Sequence, residues 1–337
     1  MTLPNLQDIK GIGPAYYKRV AQGMERDQLS LEQVYRLTAE EIKQRFGLPL
    51  NAARAIANVN TTESQHASPK PKTEEEKASV RLGVTQPITQ NHYIVLHRDD
   101  ERYPAKLHRI LGDKTPETLY VWGNLDLLDR PGVGFCGSRD VTEKGIGITR
   151  DITQQIAVHG WVAVSGHARG VDITAHRTAL ENGASTIIVL PQGLDGFKLR
   201  TELRKYARPD NLLIISEFAP NAGWHVGHAM QRNATIIGLS DAMVVIESRI
   251  NGGTFNAGQT ALKLRHPLFV VKFEDKTKSN AGNEYFLQRG AFEIKKSKAT
   301  NRASIDSLVK KVQTRHEQNI VEAPDAPKQL TMPLKEA

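Results

Sequence analysis

The stretch from residue 133 to residue 180 reads VGFCGSRDVTEKGIGITRDITQQIAVHGWVAVSGHARGVDITAHRTAL and decides the fold. It contains two apolar runs, each followed by a polar loop and then by a helical pattern: Val133–Cys136 before Gly145–His159, and Trp161–Val164 before Val171–Asn182. Near-continuous apolar runs are typical of strands that are covered on both faces. Two such units in succession predict a βαβ arrangement with parallel strands.

The same alternation continues toward the C-terminus. We predict further strands at Thr186–Leu190, Leu212–Ser216, Ala242–Glu247 and Leu268–Lys272, and further helices at Leu199–Ala207, Asn233–Leu239 and Ala257–Arg265. This pattern indicates an α/β fold with a doubly wound, mostly parallel sheet. Ligands of such sheets bind at the carboxyl ends of the strands, so the loops there are the candidate site.

Composition divides the chain into four parts. Residues 1–60 have helical periodicity and predict a small helical domain. Residues 61–90 are polar and predict a linker, because they bury too little apolar surface to offset their ordering entropy. Residues 91–275 carry the strand–helix alternation. Residues 276–337 are polar and basic, and predict an extension with one helix around Ser304–Gln318 and a proline-containing tail.

Charge and cysteine content narrow the functional classes. The net charge of +8 favours anionic partners, although charge alone does not identify nucleic acid. A single cysteine, Cys136, excludes an internal disulfide framework and a cysteine-based zinc site. The sequence shows neither a signal peptide nor an apolar run long enough to span a membrane. We therefore expect a soluble, cytoplasmic protein without membrane contact.

Near the N-terminus, the segment DIKGIGPAYYKRV matches the helix-hairpin-helix pattern. Gly11 and Gly13 would let a tight turn bring backbone N–H groups onto a DNA phosphate, and Pro14 suits the first position of the next helix. Lys10 and Lys18 would add positive charge beside that turn. Two alternatives remain: the glycines simply make a turn in a small helical domain, or the hairpin contacts another protein.

The loops after the first two strands carry groups that suit an anion. They offer glycines for close backbone approach, hydroxyls and arginines: Gly137, Ser138 and Arg139 in the first loop, and Ser165, Gly166, Arg169 and Gly170 in the second. Neither loop has the GxxxxGK[ST] or GxGxxG spacing, so ATP hydrolysis and standard dinucleotide binding are not supported. No G-x-S-x-G elbow accompanies Asp172 and His176, which argues against a hydrolase triad.

Two later loops lie at the same edge of the predicted sheet. Arg232 and Asn233 stand at the predicted start of a helix, where a cation is unfavourable for the helix dipole, so we expect a bound anion there. Gly252, Gly253 and Thr254 precede the predicted helix Ala257–Arg265 and offer backbone amides and a hydroxyl.

The ordered motifs GSR, SGHARGVD, SEFAP, RNATIIGLSD, VVIES and GGTFNAG, over about residues 93–273, resemble the DprA/Smf family, and more distantly LOG-like nucleotide-binding proteins. The resemblance implies a Rossmann-like domain that binds single-stranded DNA in a basic pocket, forms a homodimer and helps to load a RecA-type recombinase. Two departures suggest a divergent member: His167 stands where the family has glycine, and Ala234 where a second arginine is common.

The resemblance also assigns roles within the site. Ser138 and Arg139 would contact phosphate. Four residues of the second loop would form the pocket floor, Arg232 and Asn233 would approach from across the switch point, and Lys198 and Arg200 would be further basic contributors. Phe197 or Trp224 could stack on bases. We expect no catalytic residue, no metal and no cofactor.

The alternative function is a nucleotide sensor or a LOG-like nucleotide hydrolase. Gly252–Thr254 resembles the phosphate loop of LOG-type enzymes, but Phe255–Ala257 stands where those enzymes carry a glutamate. Glu217 is then the candidate base. A protein-contact hub that uses the hairpin and the tail is a third possibility, compatible with DNA binding.

Overall fold

A computed structural model describes residues 14–35, 37–57, 88 and 93–321. The chain forms two compact units, Met1–Lys72 and Thr73–Ala337.

Four helices make up the described part of the first unit: α1 (Pro14–Asp27), α2 (Leu31–Tyr35), α3 (Ala39–Phe46) and α4 (Leu50–Ala57). Their core includes Val20, Ile42, Phe46 and Ile56. Helix α1 begins at Pro14, as the hairpin pattern predicts, and Lys18 is exposed on it. The other predicted hairpin residues, Lys10, Gly11 and Gly13, lie outside the described residues.

The second unit contains nine strands and eight helices in its described residues. The strands are β1 (Ile94–His97), β2 (Thr118–Gly123), β3 (Gly132–Cys136), β4 (Val162–Ser165), β5 (Thr186–Leu190), β6 (Leu212–Ser216), β7 (Ala242–Val245), β8 (Leu268–Val271) and β9 (Phe292–Ile294). The helices are α5 (Ala105–Leu111), α6 (Glu143–Val158), α7 (Val171–Glu181), α8 (Thr201–Arg204), α9 (Val226–Leu239), α10 (Gly253–Lys263), α11 (Ala281–Leu287) and α12 (Asp306–Val321).

The strands form one sheet in the order β1-β2-β6-β5-β4-β3-β7-β8-β9. The seven strands from β6 to β9 pair in parallel, whereas β1 and β2 add an antiparallel edge. The chain proceeds from β3 toward β6 on one side, then crosses back through α9 to place β7 on the other side of β3. The switch point therefore lies between β3 and β7. This arrangement confirms the predicted α/β, doubly wound, Rossmann-like fold.

Apolar side chains on both faces of the sheet explain its continuous hydrophobic strands. One core contains Val162, Val164 and Val245, and the other contains Phe135, Ala163 and Val244. Neighbouring residues of one strand point to opposite faces, so each strand needs apolar residues at successive positions.

Five elements of the second unit were absent from the sequence prediction: β1, α5, β2, α11 and β9. Residues 281–321 supply two helices and a strand to the sheet's own unit, and Leu308 and Val312 of α12 are fully buried in the core that contains Phe135. The α/β unit therefore continues past residue 275 to at least residue 321. Helix α12 packs against the sheet because its apolar residues recur on one face, which covers the core.

Candidate functional site

A cleft opens at the switch point, where the chain leaves β3 and β7. Its volume is about 440 Å³, and its lining includes Gly137, Ser138, Arg139, Arg232, Asn233 and residues 252–254. The backbone N–H of Ser138 donates to the carbonyl of Glu247 at 2.9 Å, which ties the two loops together. Residues that are more than 90 positions apart along the chain thus face one space.

Helix α10 begins at the rim of this cleft. Gly252 has a φ of +89°, a value that suits glycine, and turns the chain into the helix. The side-chain amide of Asn233 donates to the carbonyl of Gly253 at 3.3 Å. The free N–H groups of the first turn of α10 favour an anion at this rim.

Arg232 lies in the middle of α9, because that helix begins at Val226 rather than at Asn233. The prediction that Arg232 stands at a helix N-terminus is therefore wrong, and so is the dipole argument for an anion that rested on it. The helix begins seven residues before Asn233, where the side chain of His225 accepts the backbone N–H of Gly227 and caps the first turn.

The Arg232 side chain nonetheless supplies a cation to the cleft. It is only 8% exposed, and no hydrogen bond among the described residues involves its guanidinium, whose Nε is fully buried. Its Nη atoms and the carboxylate of Asp172 both reach over Gly166, so an added β-carbon at Gly166 would collide with both groups. Burial raises the pKa of the Asp172 carboxyl, while the neighbouring Arg232 opposes that rise. A buried guanidinium without a hydrogen-bond partner has donors available for a bound anion.

A second, smaller cleft of about 310 Å³ adjoins the first and shares Arg139, Trp224 and Arg232 with it. Arg169 and Arg200 also line it. The two clefts together are lined by five arginines, and an exposed tryptophan lies where they meet, since Trp224 is 56% exposed. Cations beside an exposed aromatic ring are suited to phosphates and stacked bases.

Exposed Arg169 forms an ion pair with Asp140, at 2.5 Å between Nη2 and Oδ1. The carboxylate of Asp172 accepts from the backbone N–H of Ala168 at 3.2 Å and so holds the loop that precedes α7. Because both members of the Arg169–Asp140 pair are solvated, the pair adds little stability and Arg169 can exchange its partner for a phosphate.

Several predicted residues shape the loops instead of facing the clefts. Ser165 is fully buried, and its hydroxyl donates to the carbonyl of Phe135 at 2.7 Å. Gly170 has a φ of +84° and packs against the carbonyl groups of Ser138 and Arg139, so it brings the first two loops together. Fully buried His176 contacts Thr186 Oγ1 at 2.6 Å and the carbonyl of Gly166 at 2.5 Å.

Other predicted residues lie elsewhere. Lys198 is exposed but lines neither cleft. Phe197 lines the second cleft, but it is only 7% exposed and packs edge-on against His167 in the core, so its ring is not an open stacking platform. Sequence reasoning missed Arg249, an exposed cation at the first cleft, together with the exposed apolar side chains of Val226 and Met230. The position of Arg249, four residues after the end of β7, was the available signal.

No group of three or more histidine, cysteine or acidic side chains in the described part of the chain could hold a metal ion. Within the same residues, no helix is both long and apolar enough to cross a membrane.

The fold and these clefts define a Rossmann-like protein with a cationic site at the switch point of its sheet. A sequence model of the family described as DNA recombination-mediator protein A matches residues 94–303. The chain belongs to this family, which confirms the DprA/Smf resemblance.

The relatives agree with this assignment. DNA processing protein DprA of Streptococcus pneumoniae is 32% identical over 194 residues, which are 57% of this chain and 67% of the relative. Protein Smf of Synechocystis is 33% identical over 179 residues, 51% of this chain and 44% of the relative. The matches thus cover between 44% and 67% of the length of these relatives.

Two solved structures are also similar. DNA processing protein A from Helicobacter pylori, whose structure addresses its single-stranded DNA binding mode, has 28% identity and a TM-score of 0.52, covering 67% of this chain and 96% of that one. DprA from Streptococcus pneumoniae has 24% identity and a TM-score of 0.55, covering 87% of this chain and 95% of that one. The second likeness shows the fold alone.

Proposed function

We propose that this chain binds single-stranded DNA in the two adjoining clefts, without catalysing a reaction on it. The observation that carries the proposal is the buried guanidinium of Arg232, which has no hydrogen-bond partner among the described residues and lies where the two clefts meet. Asp172 is a nearby countercharge but forms no hydrogen bond with the guanidinium, so the donors of Arg232 remain available to a phosphate. The family and the Helicobacter pylori relative support DNA as the source of that phosphate.

The arrangement fits a strand better than a duplex. Arg139, Arg169 and Arg200 surround the meeting point of the clefts, and Trp224 exposes an aromatic face there. Aromatic stacking needs bases that are free of a helix, and each stacked base contributes about 1–3 kcal/mol. In the same proposal the protein acts in the cytoplasm as a homodimer, with the helix-hairpin-helix unit of residues 1–60 as a second DNA contact, and assists a RecA-type recombinase.

A nucleotide sensor or LOG-like hydrolase is the alternative. Its candidate base, Glu217, accepts hydrogen bonds from Gln231 at 3.0 Å and Thr235 at 2.9 Å, and lines neither cleft. Burial raises the pKa of this carboxyl, with Thr235 and Gln231 opposing the rise. These contacts favour a structural role for Glu217 and leave the sensor as the stronger of the two alternatives.

The proposal is tested by fluorescence anisotropy with labelled single-stranded DNA and the Arg139→Ala and Arg169→Ala variants. Each change removes an exposed cation from the clefts, so we expect the binding free energy to weaken by about 1–3 kcal/mol. Arg150→Ala is the matched control, because Arg150 is exposed on α6 and lines neither cleft.

Unchanged affinity in both folded cleft variants would overturn the site. Competition with mononucleotides distinguishes DNA binding from the alternative function. Mononucleotides should barely displace a bound polynucleotide, whose affinity should fall steeply as salt rises. The affinity of a mononucleotide site should depend only mildly on salt.

A further inference from the structure

A third cleft lies beside α6, at the carboxyl ends of β8 and β9. Its volume is about 680 Å³, and it is lined by residues of three segments: the first half of α6, the chain just after β8, and residues 294–303. The proposed DNA site does not include this cleft.

The third cleft is strongly cationic. Its lining contains Lys144, Lys272, Lys295, Lys296, Lys298 and Arg302 against only two carboxylates, Asp151 and Glu274. Asp151 is already occupied, since it accepts from Arg302 Nε and from the backbone N–H of Ala303, each at 2.6 Å. We call this surface the lysine cleft.

Two of these lysines have no acidic partner. Lys272 and Lys295 both contact Glu293, at 3.0 Å and 2.8 Å. Lys296 and Lys298 are exposed and form no ion pair with any other described residue. Unpaired lysines beside each other repel, and a polyanion relieves that repulsion.

The lysine cleft also contains an aromatic ring. Phe273 is partly exposed there, and the ammonium of Lys144 lies 5.9 Å from the centre of its ring. A ring beside cations suits unpaired bases and their phosphates.

The sheet places this surface next to the switch-point cleft. Strands β3, β7, β8 and β9 are consecutive neighbours and parallel, so their carboxyl ends share one edge. Adjacent strands lie about 4.8 Å apart, so the ends of β7 and β9 lie about 10 Å apart. The start of α6 joins the two sites: Glu247 of the first cleft accepts from the backbone N–H of Thr142 at 3.0 Å, and Lys144, two residues later, lines the lysine cleft.

We propose that the lysine cleft binds the continuation of the same single strand as it leaves the switch-point cleft across the ends of β8 and β9. This extension rests on the proposed function. Short DNA fills the switch-point clefts alone, whereas longer DNA also reaches Lys296 and Lys298.

The test measures the binding of the full chain to fluorescein-labelled oligothymidines of about six and about twenty nucleotides; the first lies near the lower end of the roughly 4–16 nucleotides that single-strand binding folds cover, and the second exceeds that range. The variant is Lys296→Glu with Lys298→Glu. The control is Arg130→Glu with Lys263→Glu, which changes the net charge equally at exposed positions that precede β3 and β8, at the opposite edge of the sheet.

We expect the lysine variant to lose about tenfold in affinity for the long strand and to keep its affinity for the short one. Its slope of log K against log salt for the long strand should fall by about 1.4, since each lost phosphate contact contributes about 0.7. The control should keep both the long-strand slope and the short-strand affinity. Lys296→Arg with Lys298→Arg, which retains both charges, should behave as the wild type.

Two results overturn the extension while the proposed function stands: an unchanged long-strand slope, or equal losses for both lengths in the lysine variant. Failure of the wild-type chain to bind either length overturns the proposed function itself, and the extension with it. Thermal unfolding of each variant checks that the fold is intact.

Discussion

Gly166 and Gly170 belong to the same loop but have different physical roles. The space above Gly166 is filled by the end of a flexible side chain, Arg232, and by the carboxylate of Asp172. The space above Gly170 is filled by backbone carbonyl groups of the first loop, and the backbone of Gly170 has a positive φ. One glycine thus makes room for a binding group, and the other allows two loops to approach.

Replacing each of these two glycines with alanine should therefore have different effects on DNA affinity and on stability. Gly166→Ala should displace the Arg232 guanidinium and weaken DNA binding by about 1–3 kcal/mol, while the free energy of unfolding falls by about 1 kcal/mol or less. Gly170→Ala should lower the free energy of unfolding by about 1–3 kcal/mol, because alanine is strained at this backbone conformation. Urea unfolding and anisotropy on both variants make the comparison. Equal effects on affinity and stability in the two variants would contradict these roles.

At the scale of elements, Glu247 connects the end of β7 to the start of α6. Its Oε2 accepts from the backbone N–H of Thr142 at 3.0 Å and from its hydroxyl at 2.9 Å. The same hydroxyl accepts from the backbone N–H of Gly145 and so caps the helix. The buried carboxylate at the end of β7 therefore positions the residue that caps α6.

Glu247→Ala should lower the free energy of unfolding by about 1–3 kcal/mol, because Glu247 is buried and its loss leaves the Thr142 donors without their acceptor. Glu101→Ala, at an exposed position, should change stability by less than about 0.5 kcal/mol. Urea denaturation monitored by circular dichroism measures both. Matching midpoints for the two variants would show that Glu247 does not stabilise the start of α6.

The elements themselves were predictable to different degrees. The strands β3 to β8 were found because each is a continuous apolar run covered on both faces. Strand β2 was missed because it lies in a mixed segment, and its pairing partner β6 is almost 100 residues away. Helix α9 was predicted seven residues too short because its first two turns are largely exposed, with the apolar residues Val226 and Met230 facing solvent.

At the scale of the whole molecule, buried neutral histidines couple stability to pH. Burial lowers the pKa of His176 to about 4, and burial together with Arg315 lowers that of His266 to about 3, from an ordinary 6.5. The folded state therefore binds these protons less readily than the unfolded state. Their contribution to stability is complete above pH 6.5 and is lost as the pH falls toward 4.

We expect the free energy of unfolding to fall below pH 6.5, by up to about 1.4 kcal/mol per pH unit for each histidine that titrates in the unfolded chain alone. His266→Leu should reduce that slope by up to about 1.4 kcal/mol per pH unit, the contribution of one proton. The substitution removes no hydrogen bond, because both ring nitrogens of His266 are buried without a partner among the described residues. Urea unfolding between pH 7 and pH 4.5 measures the slope. Parallel curves for the wild type and the variant would contradict this role of His266.

The sequence by itself determined the α/β class, the parallel strands and the loops that carry the anion-binding groups. Those features depend on local periodicity and on residue types next to strand ends. Only the tertiary structure decided that Arg232 is buried in mid-helix beneath the cleft, that Ser165 and Phe197 belong to the interior, and that Lys198 lies outside the clefts. The physical reason is that the environment of a side chain depends on segments far away in sequence, which meet only when the sheet is assembled around its switch point.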